Sequence, residues 1–137
     1  MFEIYAFGQM VLAIILGGVL GWQREYSGKT VGPRTYALIA AGSTLFTIIS
    51  IYAFSGDTAR IAAGIVTGIG FLGVGTILHR ENKVEGLTTA TGIWITAAIG
   101  MAVGVGFYTL AILSTAIIFL VLMMHDDWFR KSPPSQQ

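Results

Sequence analysis

Residues Leu87–Met124 read LTTATGIWITAAIGMAVGVGFYTLAILSTAIIFLVLMM and carry no charged side chain. As one helix this stretch would be about 57 Å long at 1.5 Å per residue. The hydrocarbon core of a bilayer is only about 30 Å thick. The segment must therefore fold back on itself, and Gly100, Gly104 and Gly106 mark the turn. That gives spans at about 88–103 and 107–124. Toward the N-terminus, polar interruptions separate three more apolar runs, at about 4–22, 35–54 and 61–78. The expected fold is an all-α membrane protein with five transmembrane helices over residues 1–128. The tail 129–137, with Ser132-Pro133-Pro134, is expected to be disordered.

Composition agrees. Among 137 residues, 11% are charged and 54% hydrophobic, against about 25% charged in soluble domains. Mean hydropathy is +0.73. A soluble chain this short could not hide that much apolar surface. A soluble enzyme and a basic nucleic-acid module are thereby excluded, and the absence of cysteine removes disulfides and thiolate metal sites.

Charge placement orients the chain. If the loop Gln23–Arg34 is inside, that side holds Arg24, Lys29, Arg34, Arg80, Lys83, Arg130 and Lys131, and the outside only Arg60. This is a positive-inside pattern with the N-terminus outside and the C-terminus inside. A four-span arrangement would break it. Phe2, Tyr5, Tyr52, Phe54 and Tyr108 fall at outer ends, and Trp22, Tyr26, Tyr36 and Trp128 at inner ends. Trp94 lies about two turns inside the fourth span and outside these belts. The N-terminus lacks a basic n-region and reads as a retained anchor, not a cleaved signal.

Glycine supplies the packing surfaces. Gly17 and Gly21, Gly64 and Gly68, and Gly100 and Gly104 are G-x-x-x-G pairs, a spacing that lets helix backbones approach closely in lipid. Gly64, Gly68 and Gly75 lie near one another on the third span, and Gly73 is a further packing candidate. Thr88, Gly92, Thr96, Gly100 and Gly104 follow at steps of four on the fourth span, and Ser43, Thr47 and Ser50 share a face of the second. Two readings stay open: the stripes are packing seams, or their hydroxyls line a narrow polar path. Thr88, Thr89, Trp94 and Thr96 are the candidate ligand or gate residues on the second reading.

Other motifs reduce to simpler roles. Gly68-Ile69-Gly70-Phe71-Leu72-Gly73 spells G-x-G-x-x-G but lies inside a span, without the βαβ context a dinucleotide needs. Gly28-Lys29-Thr30 lacks the first glycine of a phosphate loop, since position 23 is Gln. Asp57 reads as an N-cap with Arg60 as its surface partner, or else as a gate. His125, Asp126 and Asp127 are adjacent and do not face one point, and His79 stands alone at a helix end. No catalytic triad, metal cluster or phosphate loop is evident, so no enzyme is expected. No Asp, Glu, Lys or Arg lies near mid-membrane, and Gln9, the one large polar side chain within a span, is near the outer end. An ion site would need surface carboxylates, hydroxyls and carbonyls, or several subunits, since Mg²⁺ is usually held through carboxylates and waters.

The inner loop is the densest polar segment, with Arg24, Glu25, Lys29 and Arg34 as candidate functional residues. Arg24-Glu25, Lys29, Gly32, Arg34-Thr35, Gly42, Leu45 and Phe46 resemble the first block of the MgtC/SapB family. Ala59–Ala63 with Thr67–Gly73 resembles the second. Val84–Ala90, Ile93-Trp94, Ala97–Gly100 and Gly104–Gly106 resemble the third. The blocks keep family order over residues 17–108. The resemblance implies a prokaryotic inner-membrane protein of five spans, N-terminus outside, linked to growth at low Mg²⁺ and, in pathogens, to survival inside host cells. Some members are held to restrain the F-type ATP synthase instead of moving Mg²⁺. Many carry a soluble C-terminal domain after the fifth span, and this chain reads as a short form without it. Tyr36 stands where histidine is frequent in the family, and Gly64 where glutamine is.

These readings converge on a regulator or partner-binding protein of Mg²⁺ homeostasis, or an oligomeric cation transporter lined by spans two to four. No cofactor is expected, apart from Mg²⁺ itself as a possible ligand. Expected partners are the lipid bilayer, a second copy of the chain in a dimer, and a membrane protein such as the F-type ATP synthase. Nucleic acid is not expected.

Overall fold

The computed structural model describes residues 2–54, 56–80 and 83–124. The readings placed on His125, Asp126, Asp127, Trp128 and the tail lie outside these residues. Five helices follow in order: α1 (Phe2–Tyr26), α2 (Pro33–Ala53), α3 (Thr58–Val74), α4 (Leu87–Val105) and α5 (Tyr108–Met123). All five expected apolar segments are helices. Three of them, α1, α2 and α4, are long and apolar enough to cross a membrane, and α3 and α5 are shorter apolar helices.

Successive helices run in opposite directions, and side-chain contacts hold both ends of the bundle. At one end the Phe2 and Tyr52 rings pack with centroids 4.1 Å apart, and Gln9 Nε2 on α1 donates to the carbonyl of Val103 on α4 at 2.8 Å. At the other end Gln23 Nε2 on α1 donates to the carbonyl of Leu122 on α5, also at 2.8 Å. The second end carries the basic loop between α1 and α2, and is called the basic end below.

α4 touches every other helix and is the centre of the bundle. α1, α2 and α4 form the core, where Leu20, Tyr36, Ile93 and Val103 are fully buried. Glycine makes this possible where the backbones meet. A Cβ on Gly17 would stand 2.5 Å from the Tyr36 carbonyl oxygen, and one on Gly21 2.5 Å from Pro33 Cα. A Cβ on Gly100 would run into the Ala40 carbonyl, and one on Gly104 would come within 2.7 Å of Thr47 Cβ. α5 presents mostly exposed aliphatic residues, as expected for an outermost helix.

Three boundaries depart from the sequence reading. α4 continues through Gly100 and Gly104, and the turn falls on Gly106 alone, which has φ +95°. The N–H of Gly106 bonds the Val103 carbonyl and that of Phe107 the Ala102 carbonyl, the paired closure of a Schellman turn, which favours glycine at this position. α3 stops at Val74, not at residue 78, because Gly75 and Thr76 turn the chain. A short antiparallel hairpin follows, Leu78–Arg80 against Lys83–Glu85, with Leu78 opposite Glu85. The apolar run to residue 78 had concealed this pair of strands. Finally, α1 runs on to Tyr26, so Arg24 belongs to a helix and not to the loop.

Candidate site at the basic end

Helix phase decides what Arg24 does. Ala13, Leu16, Gly17, Leu20, Gly21 and Arg24 are buried on α1, a spacing of three and four that keeps them on the face toward the bundle. Arg24 is thus turned inward and is 3% exposed. Its Nη2 donates to Thr89 Oγ1 on α4 at 3.2 Å. Tyr36 Oη on α2 donates to the Thr89 backbone carbonyl at 3.4 Å. The same Tyr36 hydroxyl fills the gap over Gly92, where a Cβ would stand 2.5 Å from it. Arg24, Tyr36 and Thr89 therefore tie the ends of α1, α2 and α4 together. Arg24 Nε and the neighbouring Gln23 Oε1 are buried without a hydrogen-bond partner.

The other loop residues behave as a surface. Glu25, Lys29 and Arg34 are exposed. The Glu25 carboxylate lies beside the start of α2, 3.2 Å from where a Gly32 Cβ would be. Lys29 follows Gly28, whose φ of +71° bends the loop.

The other candidates are scattered. Thr88 is exposed, Thr89 is buried against Arg24, and Trp94 is 48% exposed on the flank of α4. They do not form one ligand set. Thr96 is fully buried and donates to the Gly92 carbonyl of its own helix at 2.7 Å. Asp57 occupies the N-cap position of α3 without a side-chain cap bond. It pairs instead with Arg60 Nε at 2.9 Å, and both side chains are largely exposed. Exposed pairs of this kind contribute about 1 kcal/mol or less.

The seam between α2 and α4 holds hydroxyls from both helices. Thr44 Oγ1 donates to the Gly100 carbonyl at 2.7 Å, and Thr47 Oγ1 to the Ser43 carbonyl at 2.7 Å. These hydroxyls are buried, and their protons are committed to carbonyls. Gly17, Gly21, Gly100 and Gly104 sit in close helix contacts, and Gly73 makes an ordinary contact with Ala90. Gly64 and Gly68 do not: a Cβ on either would meet open space. They border a cleft of about 870 Å³ between α2 and α3, with Gly42 and Ser43 on its α2 wall and Arg60 among its lining residues. Among the described residues no three His, Cys, Asp or Glu side chains come together to hold a metal ion.

Sequence reasoning missed three participants: Gln23, Tyr36 as a bridging hydroxyl, and Thr44. The burial of Arg24 was legible in the α1 periodicity, had the helix been carried four residues further. The tie from Tyr36 to α4 was not, since it depends on which helices are neighbours.

The sequence matches the MgtC family over residues 10–130. The chain belongs to the MgtC family. It is 46% identical over 132 residues to the Escherichia coli (strain K12) protein described as "Putative magnesium transporter YhiD", covering 89% of this chain and 61% of that protein. It is 37% identical over 145 residues to Protein SrpB of Synechococcus elongatus, covering 90% and 79%. It is 39% identical over 109 residues to Protein MgtC of Salmonella typhimurium (strain LT2), covering 80% and 47%. The chain thus spans about three-fifths of the Escherichia coli relative and about half of the Salmonella one. No solved structure matches it. Family membership and the apolar helices make this a membrane protein.

Proposed function

We propose that this MgtC-family chain supports Mg²⁺ homeostasis from the inner membrane as a regulator or partner-binding protein, not as the conduit for the ion. The link to Mg²⁺ comes from the name of the Escherichia coli relative and from the family resemblance. In this reading all five helices cross the bilayer, with the basic end in the cytoplasm. The alternating helix directions and the exposed Lys29 and Arg34 at one end support that orientation.

The observation that carries the regulatory reading is the closed seam between α2 and α4. Thr44, Thr47 and Thr96 are buried and donate to carbonyls, and Gly100 and Gly104 lie against the α2 backbone. A path lined by these groups would require this close-packed interface to separate. The exposed Glu25, Lys29 and Arg34 offer a contact surface for a membrane protein partner, for which the family resemblance suggests the F-type ATP synthase.

A second reading has one feature in its favour. The cleft between α2 and α3 leaves Gly42, Gly64 and Gly68 uncovered, and a second copy seated there would create a new boundary that an ion could follow. The deciding experiment is reconstitution of the purified protein in liposomes holding a trapped Mg²⁺ indicator. The expected result is entry no faster than in protein-free liposomes. Saturable entry that is lost on substitution of Thr88 or Asp57 would establish a transporter instead.

A further inference from the structure

Among the described residues, the basic end holds a buried charge with no acidic counterpart. Arg24 is 3% exposed, its Nη2 is engaged by a neutral hydroxyl, and its Nε has no partner. Among the described residues the one ion pair is Arg60–Asp57, at the far end of the bundle. Glu25, the nearest carboxylate in sequence, is exposed and lies beside Gly32. A buried guanidinium without a counter-charge is costly, and a buried ionisable group in a membrane protein marks a ligand or pathway site by default.

The helix starts point the same way. α4 begins at Gly86–Leu87 with no side-chain cap bond and no acidic residue in its first turn. Thr89, the acceptor of the Arg24 bond, lies in that first turn. The N–H groups of a first turn have no partners within the helix, and the macrodipole makes this end attractive to anions. A helix start with unsatisfied donors and a buried guanidinium with an unsatisfied donor therefore converge within one turn of α4. A guanidinium binds oxyanions through planar, paired N–H donors.

We propose that Arg24, with Thr89 and the first turn of α4, forms an oxyanion site that takes a phosphate group at the basic face, either free phosphate or the headgroup of an anionic lipid. Leu87 and Thr88 are exposed and mark the side from which the group enters. Arg24 Nε and the first-turn N–H groups of α4 donate to the phosphate oxygens, and Tyr36 holds the Thr89 segment in place. The site requires neither ion flux nor a protein partner, so it stands or falls independently of the proposed function.

The test uses the full chain, delipidated in dodecyl maltoside, a phosphate-free detergent. Thermal unfolding is followed while inorganic phosphate is added in one arm and phosphatidylglycerol in the other, at constant ionic strength. The wild type is expected to gain a saturable rise in Tm in at least one arm, and the arm that responds identifies the source. Thr89→Ala, which keeps the charge, is expected to weaken apparent affinity about tenfold through loss of one polar anchor. Arg24→Met is expected to abolish the response and, without phosphate, to unfold no earlier than the wild type, because it removes an unpaired charge. Absence of a response in both arms overturns the site. So does an equal response in wild type and Arg24→Met. A large loss of stability in Asp126→Asn or Asp127→Asn, with no phosphate effect in the wild type, would also overturn it by assigning the counter-charge to the chain itself.

Discussion

Individual glycines in this protein do two different jobs that look the same in sequence. Gly100 and Gly68 both belong to G-x-x-x-G pairs. At Gly100 a side chain would meet the Ala40 carbonyl and Ser43 Cβ, and at Gly68 nothing within 4 Å. Gly100→Leu is therefore expected to lower stability by about 3 kcal/mol or more, since overpacking against backbone has no cheap relief. Gly68→Leu is expected to leave the unfolding of the single chain within about 0.5 kcal/mol of wild type. Unfolding of both variants in detergent checks the contrast, and equal losses would show that Gly68 is covered in solution. Thr44→Val, which removes the bond to the Gly100 carbonyl, is expected to cost about 0.6 kcal/mol, the average found for hydrogen bonds between membrane helices.

At the scale of elements, α4 and its two ends organise the rest. Its final turn depends on Gly106 at φ +95°, a region that costs other residues about 1–2 kcal/mol. Gly106→Ala is expected to lose about that much stability while leaving helix content unchanged, which thermal unfolding and circular dichroism together would show. Its first turn carries the Arg24 contact, so the start of α4, the end of α1 and the first turn of α2 should respond together. Hydrogen exchange is expected to quicken at position 36 and at Ala90 alike in Tyr36→Phe, since both amides close the first turns of their helices. Exchange confined to α2 would separate the two helices energetically. α3 is the opposite case. Only Gly73 of its 17 residues is buried, and it is expected to be the least protected of the five helices.

At the scale of the whole molecule, the alternating bundle gathers one set of connections at each end. The basic loop, the hairpin and the end of α5 share one end, while Gly56, Asp57 and Gly106 share the other. Five crossings are expected to place these ends on opposite sides of the membrane. In a chain free of native cysteine, Lys29→Cys should react with an impermeant thiol reagent only from the cytoplasm, and Gly56→Cys only from outside. Labelling of both from one side would refute the five-span arrangement. The uncovered cleft between α2 and α3 also belongs to this scale, because its filling depends on what the bundle meets in the bilayer.

Composition and spacing alone determined that the chain is helical, where its five apolar helices lie to within a few residues, and which family it resembles. These follow from local physics, since backbone groups in lipid must be satisfied within each segment and a charge-free run longer than the bilayer must turn. Only the tertiary structure decided which stripes are seams and which stand open, that Thr89 is buried while Thr88 and Trp94 are exposed, and that Arg24 meets Thr89. G-x-x-x-G records that two backbones could approach, not that a partner is present. An arginine two residues beyond an apolar run looks solvated until the neighbouring helices are placed, because burial is a property of the face and of what covers it.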